Sequence, residues 1–111
     1  KSRSFSEEQH VELSEICSQV RAILDLSGQS LTSANKQMLE TANQLEDHID
    51  RLRKTHNKAA VRRMKRGDAV QTEMLFTEIN NHLEAVGNHA LNIVQCAEVV
   101  GGPASVPPAD D

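Results

Sequence analysis

Apolar side chains recur every three or four positions in three long stretches of this chain, and short polar breaks separate the stretches. That spacing is the period of one face of an α-helix. In the first stretch Leu13, Ile16, Val20, Ile23 and Ser27 form the stripe, with Leu24 and Leu31 widening it. It predicts a helix over about residues 6–32. Ser6 with Gln9 three positions on has the pattern of an N-terminal capping box, and Ser4 with Glu7 competes for the role. Gly28 falls inside the stripe and reads as a tolerated interior glycine. In the second stretch Met38, Ala42, Leu45, Ile49, Leu52, His56 and Ala59 alternate four and three apart, the heptad seam of a bundle. Ser33 is its expected cap and Gly67-Asp68 its stop, which gives a helix over about 34–66. Leu75, Ile79, Leu83, Val86, Ala90, Ile93 and Ala97 mark the third helix, over about 69–99. Asp68 is its expected cap and Gly101-Gly102-Pro103 its stop.

Short connections between long helices make sequence neighbours antiparallel. The expected fold is therefore all-α, an antiparallel up-down-up three-helix bundle over residues 1–100, with a flexible tail over 101–111 rich in Gly, Pro, Ala and Asp. Composition agrees. The 111 residues include two Phe and no Trp or Tyr, so Leu, Ile, Val, Ala and Met must fill the core. Such a chain suits packed helices better than a sheet sandwich and leaves little room for a deep pocket. Helices of about 30 residues, roughly 45 Å long, leave broad outer faces, which are expected to pair with another copy, as a homodimer, or with another part of the parent protein.

Charge changes the picture more. The net charge of −4 conceals a block at 51–66 with eight bases and no acid: Arg51, Arg53, Lys54, Lys58, Arg62, Arg63, Lys65 and Arg66. Residues 67–111 carry no Lys or Arg. An acidic chain whose basic block has no interleaved aromatics is not built to bind nucleic acid. The block instead suits an anionic membrane surface or an acidic partner, set against the plainer reading of a solvated helix end. No apolar run approaches the roughly 20 residues of a membrane span, and no signal peptide is visible. Cys17 and Cys96 stand far apart and read as buried thiols of a reducing compartment. A chain that starts at Lys1 rather than Met is expected to be a piece of a longer protein.

Candidate chemistry lies in side chains with ligating oxygens four residues apart. Glu46 with Asp50, and Glu84 with Asn88, each place oxygens on one face of a helix. Oxygen ligands at that spacing suit hard or borderline cations, although the spacing also arises on any solvated helix. With Ile79 as the core direction, Glu84 falls near 140° and Asn88 near 180°, both away from the core. With Leu45 as the reference, Glu46 and Asp50 fall near 100° and 140°, on a flank. A surface metal site is compatible with that placement and a buried catalytic one is not. His56, on the seam, reads as a core histidine; His82 and His89 share a flank. No nucleophile–base order, phosphate-cradling loop or nucleotide fingerprint is present, so the expectation is a protein that is not an enzyme.

The runs Leu45-Glu46-Asp47-His48-Ile49-Asp50-Arg51-Leu52-Arg53-Lys54-Thr55-His56 and Leu83-Glu84-Ala85-Val86-Gly87-Asn88-His89-Ala90-Leu91-Asn92-Ile93 resemble the PhoU family. They look most like the PhoU-like domain at the C-terminal, cytoplasmic end of bacterial sodium/phosphate cotransporter family proteins. The resemblance implies a single three-helix repeat that regulates phosphate uptake without catalysing a reaction. It implies a place on the cytoplasmic face of the bacterial inner membrane, with the transporter portion of the same chain as partner. It also implies an outer-face site able to hold iron or zinc, on Glu46, Asp47, Asp50 and Glu84, with Asn88 standing where the family has a carboxylate. A metal-free interaction module is the alternative, and a histidine phosphotransfer domain a more distant one.

Overall fold

The computed structural model describes residues 4–101, so of the tail expected over 101–111 only Gly101 is described, as the last residue of a helix, and the rest lies outside the described residues. Three helices follow in order, α1 (Glu7–Ser30), α2 (Lys36–Lys65) and α3 (Val70–Gly101), and there is no strand among the described residues. Each helix packs against both others. Facing pairs run in opposite numerical order along α2 and α3, Arg63 with Glu73 and His56 with Asn80, as antiparallel neighbours require. The fold is the expected all-α up-down-up three-helix bundle.

The helix ends follow capping chemistry. Ser6 accepts from the Gln9 amide at 3.2 Å while the Ser6 amide donates to Gln9 Oε1 at 2.7 Å, a closed capping box that prevails over Ser4–Glu7. The first helix stops at Ser30, short of Thr32. Asn35, not Ser33, caps α2, its side chain accepting from the Met38 amide at 2.9 Å. The break between α1 and α2 is thus longer than the apolar spacing suggests. Gly67 adopts φ +103°, and the amides of Gly67 and Asp68 return to the carbonyls of Met64 and Arg63 at 3.1 and 2.9 Å. This closes α2 in the manner that favours glycine after the last turn. Asp68 does not cap α3: its carboxylate accepts from Arg66 at 3.1 and 3.0 Å instead.

The seams of α1 and α2 lie close to their expected lines, with Ile16, Val20, Ile23, Ala42 and Ile49 in one buried cluster. Leu24 and Leu31, taken as widening the first stripe, are exposed, and so are Cys17 and Cys96, which were expected to be buried. On α3 the buried line is Glu73, Phe76, Asn80, Gly87, Ala90 and Val94, with Leu83 packed beside it. That is a regular three-four alternation turned by one residue from the stripe read from the apolar side chains. Leu75, Val86 and Ile93, expected inside, are exposed. Polar side chains at core positions hid the true seam, because Glu73 and Asn80 are 2% and 0% exposed.

Those polar residues are partnered. Arg63, 3% exposed, donates from Nε and Nη2 to the two Glu73 oxygens at 2.8 and 3.1 Å, and from Nη1 to Glu12 at 3.2 Å. The bonds to Glu73 push the guanidinium further up against the opposing effect of burial. Its carbon sits 5.0 Å from the centre of the Phe76 ring, which Phe5 and His56 also flank. Asn80 donates to the Phe76 carbonyl at 3.0 Å, which aims its oxygen at His56 Nδ1, 3.1 Å away. The other ring nitrogen of His56 faces Glu15 at 3.1 Å. Removing one member of a buried ion pair strands the other. Arg63→Ala is expected to lower the unfolding free energy by about 3–5 kcal/mol, and Arg63→Met combined with Glu73→Leu by much less. Urea denaturation followed by circular dichroism measures both, and equal losses would count against the pair.

Candidate functional site

The two acidic motifs meet on the outer side of the α2–α3 contact. Ile49 faces Gly87, where an added Cβ would lie 3.1 Å from Ile49 Cδ1. Glycine there lets the two helices close on one another. Glu46 is one helical turn from Ile49, and Glu84 one turn from Gly87. In antiparallel helices these displacements point opposite ways, so the two glutamates stand on either side of the Gly87 level, about 9 Å apart along the bundle. They come together on this face: the Glu84 carboxyl, as a hydrogen-bonding group and as a charge, is among the causes that raise Glu46. Both residues are half-buried. Glu84 therefore does not point away from the core, as the apolar stripe of α3 implied. The one-residue turn of the seam brings it round to the flank that faces α2.

Two carboxylates cannot share a hydrogen bond without a proton between them. Burial, then the bond and charge of Glu84, then the charges of Asp50 and Asp47, push the Glu46 carboxyl up to about 7. The pair is thus a place where one positive charge is favoured, supplied by a proton or by a cation.

The other expected ligands stand apart from this pair. Asp50 accepts from Arg53 Nη2 at 2.9 Å and from Lys54 Nζ at 3.2 Å, and these bonds hold its carboxyl below the usual range. A metal reaching Asp50 has to displace both cations. Asp47 is exposed and reaches Glu46 only as a charge. Asn88 is exposed one turn beyond Glu84. No group of three or more His, Cys, Asp and Glu side chains among the described residues is arranged to hold a metal. The donor set that converges is therefore Glu46 with Glu84, an open carboxylate pair. Such a pair fits a cation that keeps several waters and does not fit a closed four-ligand site.

The basic block divides in the same way. Arg63 is sealed inside the bundle by Glu73 and Glu12, so it is not a contact residue for a membrane or acidic partner. Arg66 is tied to Glu8 and Asp68, and Arg53 to Asp50. Arg51, Lys54, Lys58, Arg62 and Lys65 remain exposed on α2. Elsewhere, a cleft of about 550 Å³ opens between the α1–α2 turn and the end of α3, lined by Leu31, Ala34, Ile93, Cys96, Ala97 and Val100 among others. Its lining has no acid, base or histidine to work with Cys96. His56 is a core residue, as its seam position implied, while His82 and His89 are exposed. No helix among the described residues is long and apolar enough to cross a membrane.

Sequence reasoning missed Glu73, Asn80 and Glu15 as partners of Arg63 and His56. The signal was available as the three-four spacing of Glu73, Phe76, Asn80, Leu83, Gly87, Ala90 and Val94, once polar side chains are admitted to a seam.

A family model described as PhoU domain matches residues 13–97. No curated protein and no solved structure matches the chain.

A raised carboxyl weakens the fold as it ionises. Below pH 4.5 Glu46 is protonated in the folded and the unfolded chain alike. As pH rises, the unfolded chain loses that proton first and the folded chain keeps it until about 7, so stability falls across that window. Thermal melts between pH 5 and pH 8 are expected to show the decline, on the order of 1–2 kcal/mol after solvent screening, and Glu46→Gln to remove most of it. Gly87→Leu is expected to cost about 2 kcal/mol or more by overpacking against Ile49. A melting temperature unchanged by that substitution would mean the helices do not need the close approach.

Proposed function

The chain belongs to the PhoU family, and from that membership we propose that it is a non-enzymatic regulatory domain acting on a sodium-dependent phosphate transporter. The family is associated with phosphate regulation. The transporter setting rests on the likeness of Leu45–His56 and Leu83–Ile93 to the cytoplasmic domain of sodium/phosphate cotransporter proteins. In this reading the domain lies at the cytoplasmic face of a bacterial inner membrane and acts on the transporter portion of its own chain.

The observation that supports a ligand-responsive regulator most directly is the Glu46–Glu84 carboxyl pair, which leaves room for one positive charge on the outer face of the bundle. Iron or zinc would be held by Glu46 and Glu84, with water completing the coordination. Asp50 would join after exchanging Arg53 and Lys54 for the metal, and Asn88 would offer an uncharged oxygen one turn away. Binding releases the proton held by Glu46, so affinity rises with pH as that carboxyl ionises.

A metal-free interaction module remains the second reading, and the exposed apolar residues Leu75, Val86 and Ile93 on the outer side of α3 favour it. A second copy of the chain is the partner we infer for that face, giving the homodimer that completes a two-repeat arrangement. Elemental analysis of protein purified without chelator, and calorimetric titration with zinc or ferrous iron, separate the two readings. Metal bound to the natural protein but not to the Glu46→Gln, Glu84→Gln double variant supports the regulator with a metal site. Absence of binding after loading leaves the interaction module. Uptake of radiolabelled phosphate by cells carrying the whole transporter tests the function itself. The double variant is expected to change the rate at least twofold, and an unchanged rate would remove the pair from regulation.

A further inference from the structure

Carboxylates draw Arg53, Arg63 and Arg66 out of the basic block, and what they leave is ordered. Arg51, Lys54, Lys58, Arg62 and Lys65 follow one another three or four residues apart, so they share the outer face of α2 over about 21 Å. All five are exposed. Arg51, Lys58, Arg62 and Lys65 take part in no ion pair among the described residues, and Lys54 is bound only to Asp50. No acid occurs on α2 after Asp50; from α1, Glu8 and Glu12 line the depression they share with Arg62 and border the stripe on that side.

Apolar residues accompany the cations. Val61, 45% exposed, lies among Lys58, Arg62 and Lys65. Asn57 donates to Asn81 at 3.1 Å and so fixes the level at which the outer edges of α2 and α3 meet. From that bridge towards the Gly67 turn, α2 offers Val61 one turn on and α3 offers Met74 two turns on, with Val70 one turn further. Met74 and Val70 are 59% and 51% exposed. Glu78, one turn from Met74 on the side away from Gly67, bounds this surface on α3, and Asp47 bounds the stripe on α2.

We propose that the outer face of α2, together with Val61, Met74 and Val70, docks on an anionic phospholipid bilayer. A row of cations on one straight helix matches the phosphates of a flat headgroup layer, and three separate apolar tips beside it can enter the acyl boundary. The stripe has no aromatic side chain for stacking bases, which disfavours single-stranded nucleic acid. The surface belongs to this chain alone and needs neither the metal nor the transporter, so its test stands apart from the regulatory reading.

Co-sedimentation with vesicles of phosphatidylcholine, and with vesicles in which phosphatidylglycerol makes up about a third of the lipid, decides the matter. Binding is expected only to the second and is expected to weaken as sodium chloride rises. Lys58→Glu, Arg62→Glu and Lys65→Glu combined should lower partition at least about tenfold. Circular dichroism should show the fold intact, since all three side chains are exposed. Equal partition into both vesicle types, or unchanged partition of the triple variant, overturns the proposal. Binding to polyglutamate with none to either vesicle overturns it too, and assigns the stripe to an acidic protein partner.

Discussion

Two antiparallel helices faced with Leu, Ile and Ala can slip past one another by a turn and bury nearly the same apolar area. Directional contacts are needed to hold α2 and α3 in one register, and Arg63–Glu73 and His56–Asn80 provide them. Each pair is almost fully buried, so a slipped register would leave charge or amide unpartnered in the interior. Gly87 against Ile49 adds a steric condition to the polar one. The meeting of Glu46 with Glu84 depends on this register, because the two lie on opposite sides of the Ile49–Gly87 level. The carboxyl pair is a consequence of how the bundle core is specified, although neither glutamate belongs to that core.

The same core explains what could be read from the chain beforehand. α2 was legible because its seam from Met38 to Ala59 is apolar except for His56, and one histidine does not break a heptad series; Arg63, the next seam position, lay beyond the apolar series. On α3 three of the seam positions are Glu73, Asn80 and Gly87, and a stripe drawn through apolar residues slides to the neighbouring line. That error placed Leu75, Val86 and Ile93 inside and turned Glu84 outward. The family likeness identified Glu46 and Glu84 but gave no geometry. Asp50 shows the opposite limit. Its spacing to Glu46 suggested a shared ligand set, yet Arg53 and Lys54, three and four residues on, compete for its oxygens along the same helix. Cap assignments erred where two polar residues were both suitable: Asn35 prevailed over Ser33, and Asp68 was drawn to Arg66.

Charge in this molecule is sorted by depth. The continuous basic run at 51–66 looked uniform because sequence has no inside or outside. Folding separates it into a guanidinium that binds the bundle together, two that are clamped at its edge, and an outward row. α3 has no Lys or Arg, and the cation that neutralises its buried Glu73, Arg63, comes from α2. The basic segment is therefore partly a structural requirement of the acidic helix that follows it. Only the outward remainder is available for recognition.

The turn at Gly67 gives the register-setting pair one more property. Arg63 and Glu73 are ten residues apart in the chain, whereas His56 and Asn80 are twenty-four apart. Chain entropy lost on closing a loop grows with its length, so the Arg63–Glu73 contact is the cheaper of the two to form. A loop of about that size closes in roughly 10–100 ns, far faster than long helices rearrange against one another. The contact that chooses the register is thus also the one the chain reaches soonest, and alignment is decided at the hinge before the distant glutamates are in range.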